Sequence, residues 1–456
     1  MRPALRTIIT SLAPVIVMLD FNIAAVALPS VRDDLGFSPA TAQWVITAAA
    51  LPFGCFLIAG GRLADLLGRR RVLIAALGLL SLASLGAGVA TTQAGLLVAR
   101  AALGIGAAIA VPAALSLVTA HVDEGPMRDR ALGVYGALIS FALVFGTVVG
   151  GFLTDVLGWR SGFFVDAGLA LIAVVAVLRA TRAVPAVRQP MAGEVPRAVA
   201  TTIALAALLW ALSAATSAAA LSPEAGALLM VALLAGWAAY RADRRAPQPL
   251  FSRQLLRRGT VAGATVAAVL TVAAGTGVFV LLATFLQDLF RYTAGTGGLA
   301  LAVLGAAGVA SARTCPLASR RFGVVPVLVV AMLLQAAGIL LMISTQLGDG
   351  LAALLAGCAI MGAGHFAACV MFTTLAIRGV ASASHGLATA IIVSAQEIGA
   401  AVGLAVLTAV SSAGTDDSPT SALSGFHHAL ATAAGISAVG ALVVAAIFST
   451  KSFLTP

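Results

Sequence analysis

Among the polar residues inside long apolar stretches of this 456-residue chain, six could carry chemistry: Asp20, Asn22, Arg100, His365, Gln396 and Glu397. Their chemistry is proton exchange or the holding of a charged ligand. An acid in hydrocarbon is costly and is kept where it faces a bundle interior or a watery cavity. Asp20 therefore reads as a proton or cationic-substrate site, against the plainer reading of a hydrogen bond to Asn22 or to a neighbouring helix. A neutral residue would join helices at lower cost, which favours function. Arg100 cannot discharge, so it needs an acid or a carbonyl as partner. Asp20 is the candidate, and protonating Asp20 would then loosen two helices. The alternative is an arginine reaching the outer interface, about two turns away. Glu397 suits proton coupling or selection of a basic substrate, against a protonated carboxyl bonded to Gln396 or Ser394. His365 titrates near neutrality and suits a proton path or a substrate contact, against a hydrogen bond to a neighbouring helix. Asp166 reads as lying near the outer end of its run and receives no role.

Two further clusters carry spacing rather than buried charge. Gly60 to Arg71 holds Gly61, Asp65, Gly68, Arg69 and Arg70 between two apolar runs. Asp65 can cap a helix N-terminus or pair with Arg70 or Arg130. Gly146, Gly150 and Gly151 follow Gly133 and Gly136, and small residues spaced by three or four let helices approach closely. There is no G-x-x-x-x-G-K-[ST], which argues against ATP-driven transport within this chain, and no Ser-His-Asp or zinc pattern. The four cysteines have neither metal-ligand spacing nor a plausible extracellular pairing.

The elements that must position these residues follow from composition. The chain is 61% hydrophobic and only 10% charged, which marks a polytopic membrane protein. Apolar runs of spanning length fall at about 8–29, 41–60, 72–91, 94–119, 131–154, 161–179, 198–220, 225–240, 260–286, 295–312, 324–344, 351–377, 386–411 and 427–449. Of 27 Lys and Arg, all but Arg32, Arg100, Arg160 and Arg291 fall in linkers that alternate to one side or in the terminal segments. That bias places both termini in the cytoplasm, and it accounts for the net charge of +10 without nucleic acid. The first apolar run is of spanning length, so no cleavable signal peptide is expected.

The first six and last six runs have similar extents, and the segment 312–323 looks like a worn copy of 61–68. The expected architecture is all-α: an N-terminal six-helix bundle over 1–180, linkers and two inserted helices over 181–258, and a C-terminal six-helix bundle over 259–456. Fourteen spans result, with a substrate site between two halves.

The spacing G-x-L-A-D-x-x-G-R-R over Gly61–Arg70 resembles the loop between the second and third helices of major facilitator superfamily transporters. With fourteen runs, the chain is similar to that superfamily's fourteen-helix drug:proton antiporter group. Leu19–Pro29 resembles L-D-x-T-I-V-N-V-A-L-P, and Arg100–Gly106 resembles R-x-x-x-G-x-G, whose Arg is thought to assist proton transfer. Gly146–Gly151 resembles the antiporter signature G-P-x-x-G-G, with Thr147 where that pattern has Pro. Glu397 stands where the group has Gln, and Asp166 where it more often has Asn. The resemblance implies a major facilitator fold in the plasma membrane that is not an enzyme. It implies proton-coupled export of drugs, antibiotics or metabolites by alternating access, with the 61–70 cluster and Arg130 as a gating latch. The expected partners are protons, the lipid bilayer and a lipophilic small molecule, neutral or cationic. No cofactor is expected beyond the proton gradient, and the chain is expected to be a monomer. Thr147 keeps a proton-coupled importer as the alternative, and a non-transporting membrane sensor is a third reading.

Overall fold

The computed structural model describes residues 8–120, 126–180, 259–345, 351–378, 380, 385–413 and 418–449, with scattered positions between 207 and 241. The regular elements among them are helices: α1 (Leu12–Leu35), the short α2 (Pro39–Ala42), α3 (Trp44–Leu67), α4 (Arg69–Gly88), α5 (Gln93–Ala120), α6 (Pro126–Leu157), α7 (Arg160–Ala180), α8 (Gly259–Asp288), α9 (Ala294–Phe322), α10 (Val324–Met342), α11 (Ala352–Ile377), α12 (His385–Ser412) and α13 (Pro419–Ser449). A segment in lipid must satisfy every backbone polar group internally, which a helix does. Pro29, Pro52, Pro112 and Pro316 lie inside helices, a placement that membrane helices tolerate. Among the described residues, ten helices are long and apolar enough to cross a membrane. The expected spans at 198–220 and 225–240 lie for the most part outside the described residues.

The segment 60–71 is not a loop of any length. α3 continues through Leu67, α4 starts at Arg69, and only Gly68, at φ 95°, breaks the path. A backbone angle of that sign suits a residue without Cβ. The same device recurs at Gly323, φ 87°, between α9 and α10. The charges of both segments ride on helix ends, because charge at a membrane surface needs water and not an irregular backbone.

The helices form two compact units. The first contains α1–α7 and Tyr292–Leu299, which includes the start of α9; the second contains α8, α9 from Ala300, and α10–α13. In lipid, helices associate through close van der Waals packing at small residues more than through the hydrophobic effect. In the first unit α3 meets α5 in this way. A Cβ at Gly60 would meet the Ala108 carbonyl oxygen and lie 2.8 Å from Ile109 Cα, and one at Gly104 would meet the Ala49 carbonyl. In the second unit Gly399 and Gly403 of α12 sit on the backbone of α8 at Val269 and Ala273, and Gly338 of α10 meets α11 at Met361. Leu328, Met332, Phe372, Leu375 and Val444 fill its core.

Candidate functional site

The centre of the first unit is an ion pair away from water. Arg100 and Asp20 are 0% and 1% exposed. Arg100 Nη1 donates to both carboxylate oxygens of Asp20, at 2.7 and 2.6 Å, and Nε donates to the Val45 carbonyl at 2.8 Å. One guanidinium thus ties α5 to α1 and α3. The geometry excludes an arginine turned to the outer interface. Phe21 and Phe163 flank the guanidinium, with ring centroids 5.9 and 5.6 Å from Cζ. Such contacts stabilise a desolvated cation. Arg100 Nη2 is buried without a partner among the described residues. Asn22 donates to the Met18 carbonyl of its own helix at 2.5 Å, so it braces α1.

Sequence reasoning missed Asp166. It lies on α7 with 0% exposure, and among the described residues neither carboxyl oxygen has a hydrogen-bond partner. Its acid type inside an apolar run was the signal. Depth judged from run boundaries hid it, because distance along a helix does not report which face its neighbours cover.

Both ends of this unit are fastened. At the end expected to face outward, Asp34 accepts from Arg160 Nη1 at 2.6 Å and from Trp159 Nε1 at 3.1 Å, while Arg160 Nη2 donates to the Ala90 carbonyl. At the other end Arg69 donates to the Ser116 carbonyl at 3.1 Å, and Arg70 to the Leu178 carbonyl at 2.8 Å, in the last turn of α7. Carbonyls in a last helical turn lack intrahelical donors, and a basic side chain supplies one. Asp65 is on α3 and Arg130 on α6; their side chains lie outside the described residues. Gly61 has room for a methyl group, 3.6 Å from Pro112 Cβ, so the tight contact belongs to Gly60.

The glycine motif packs α6 on α1. A Cβ at Gly146 would come within 3.1 Å of Asn22 Cβ, and one at Gly150 within 2.9 Å of Ile23 Cα. Gly151 faces the start of α9, where a Cβ would lie 2.9 Å from the Ala294 carbonyl carbon. Thr147 donates to the Val144 carbonyl of its own helix at 2.9 Å. The motif therefore seats the helix that carries Asp20.

The remaining candidates belong to the second unit. His365 lies on α11 with its ring against Gly275 of α8, edge-on to Phe366 at 5.2 Å, and Nε2 is 3.8 Å from Cys369 Sγ. Glu397 and Gln396 lie half-buried on α12. Where α10 packs on Gly364, next to His365, Gln335 of α10 donates to the Thr271 carbonyl of α8 at 2.9 Å.

The family model described as the Major Facilitator Superfamily matches residues 10–404. The chain belongs to the Major Facilitator Superfamily. It is a multi-pass transporter of the plasma membrane. Among its superfamily relatives is the puromycin resistance protein pur8 of Streptomyces alboniger, 32% identical, with 96% of this chain and 88% of the relative covered. Another is the cephamycin export protein CmcT of Amycolatopsis lactamdurans, 33% identical, with 89% and 84% covered. The superfamily fold is also shared with a crystallised peptide transporter POT in complex with alafosfalin. The TM-score there is 0.74 at 14% identity, with 97% of this chain and 93% of that one covered.

Proposed function

We propose that this chain is a proton-coupled antiporter that exports small organic molecules of the antibiotic or metabolite kind by alternating access. The buried Asp20–Arg100 pair carries the reading. A desolvated ion pair is a weak source of stability, since removing both charges is often neutral or better. Its retention between two helices suits a device that works by being broken. A proton on Asp20 removes the attraction that holds Arg100, and α1 loosens from α5. Relatives named for puromycin resistance and cephamycin export support the direction of transport. The proposed substrates are lipophilic, with cationic compounds among them.

The test uses everted membrane vesicles containing the full-length chain and an imposed pH gradient. Labelled puromycin, a cephamycin and tetraphenylphosphonium serve as probes. We expect gradient-dependent accumulation of at least one probe, abolished by an uncoupler. Asp20→Asn should abolish it while the protein stays inserted at the wild-type level. Normal gradient-driven export by Asp20→Asn removes Asp20 from the mechanism. Uptake in right-side-out vesicles, with none in everted ones, replaces export by import.

A further inference from the structure

Asp166 and Arg100 Nη2 are, among the described residues, unpaired polar groups of one buried neighbourhood. Phe163 and Asp166 are three residues apart on α7, so they share a helix face. The Phe163 ring lies against the guanidinium of Arg100, which sets that face toward the arginine. Among the described residues, Asp20 from α1 and Arg100 from α5 are the charges that act on Asp166. Among the described residues, α4 and α6, which also pack on α7, bring no charged group to it. On α4, the Ser81 hydroxyl is committed to the Ala167 carbonyl at 2.9 Å. Two acids and one cation therefore lie in one neighbourhood closed to water, with the cation bonded to Asp20.

Counting charge decides what such a site holds. With both acids ionised it carries one net negative charge in a medium where an unpaired ion costs several kcal/mol (order of magnitude). One proton makes it neutral. Arg100 is already bonded to both oxygens of Asp20, so the proton belongs on the acid that no donor touches.

We propose that Asp166 is a second proton-carrying carboxyl of this site, that the two acids hold one proton between them, and that Arg100 faces whichever acid is bare. When the proton passes, the O–H bond on Asp166 breaks, one forms on Asp20, and the guanidinium turns its N–H groups from Asp20 to Asp166. The site stays neutral throughout, so the exchange needs no counter-ion. The unpartnered Nη2 is the donor available for the second arrangement. This inference rests on the reading of the site as proton-coupled.

Its test needs no transport. Infrared spectra of the full-length protein in lipid report the C=O stretch of protonated carboxyl groups. We expect a band that disappears in Asp166→Asn and returns at a shifted position in Asp166→Glu. The same band should disappear in Asp20→Asn, because Arg100 then holds Asp166 as its carboxylate. A band untouched by Asp166→Asn, or one that persists in Asp20→Asn, overturns the proposal. If Asp166→Asn does not fold, the Asp166→Glu shift and the Asp20→Asn loss carry the same decision. Bands behaving as expected in a protein that moves no probe across vesicles would sink the export reading and leave the shared proton standing.

Discussion

Arg100 is bonded to Asp20 and, in the proposed exchange, turns to Asp166; among the described residues it is the cation beside both acids. Removing the cation should therefore cost more than removing either anion. Arg100→Leu strands two buried carboxyl groups, and breaking a buried pair costs about 3–5 kcal/mol. Asp20→Asn leaves Asp166 to receive the guanidinium and should cost less. Thermal unfolding of the two full-length variants in one detergent measures the order; an equal or reversed order contradicts it. Cys315 offers a second residue-scale check. It lies on α9 beyond the apolar stretch 294–311, and burial pushes its thiol up. A raised thiol has less thiolate near neutral pH, and thiolate is the reactive form. Maleimide should label Cys315 much more slowly than a cysteine introduced at the exposed Leu317, with the gap narrowing as pH rises. Asp20 and Arg100 were legible in the sequence because a charge amid apolar residues has few explanations. Asp166 was of the same type, but its partners come from helices about 60 to 150 residues away, and no spacing rule joins them.

The glycines divide by what faces them. Gly150 lies against Ile23 backbone, whereas Gly61 faces only a proline side chain at contact distance. Gly150→Ala should separate α6 from α1 and destabilise by about 1–3 kcal/mol. Gly61→Ala should be neutral or slightly stabilising, since alanine favours helix by about 1 kcal/mol. Unfolding temperatures of the two variants, measured together, check the contrast. The periodicity of Gly146, Gly150 and Gly151 announced a close approach, yet nothing in it named α1 or the start of α9 as the neighbour. The charged stretch 60–71 misled in the opposite way. Arginines look like loop residues, but here they cap and staple helix ends, and Gly68 alone makes the joint.

At the scale of the whole molecule, a fold shared at 14% identity depends on apolar runs and small residues more than on particular side chains. That is why the all-helical class was readable from composition. Special chemistry then sits where the chain departs from its own pattern. Glu397 is such a departure, an acid on α12 where the resembling group has Gln. On the proposal that Asp20 carries the proton coupling, its expected work is substrate charge selection. Glu397→Gln should reduce tetraphenylphosphonium export about tenfold, equivalent to about 1.4 kcal/mol, and leave gradient-driven export of a neutral probe intact. Equal loss for both probes would return Glu397 to proton coupling.

The ion pair also has a history in the making of the protein. Asp20 and Arg100 lie 80 residues apart. At about 5–20 residues per second of synthesis, the acid is made roughly 4–16 s before its cation. An unpaired charge at a helix centre costs about 2.5–3.5 kcal/mol on insertion. α1 must therefore enter the bilayer on the strength of its own apolar residues, with Asp20 unsatisfied. Arg100 arrives later as a delayed clasp, completing during biogenesis a helix that has already been committed to the membrane.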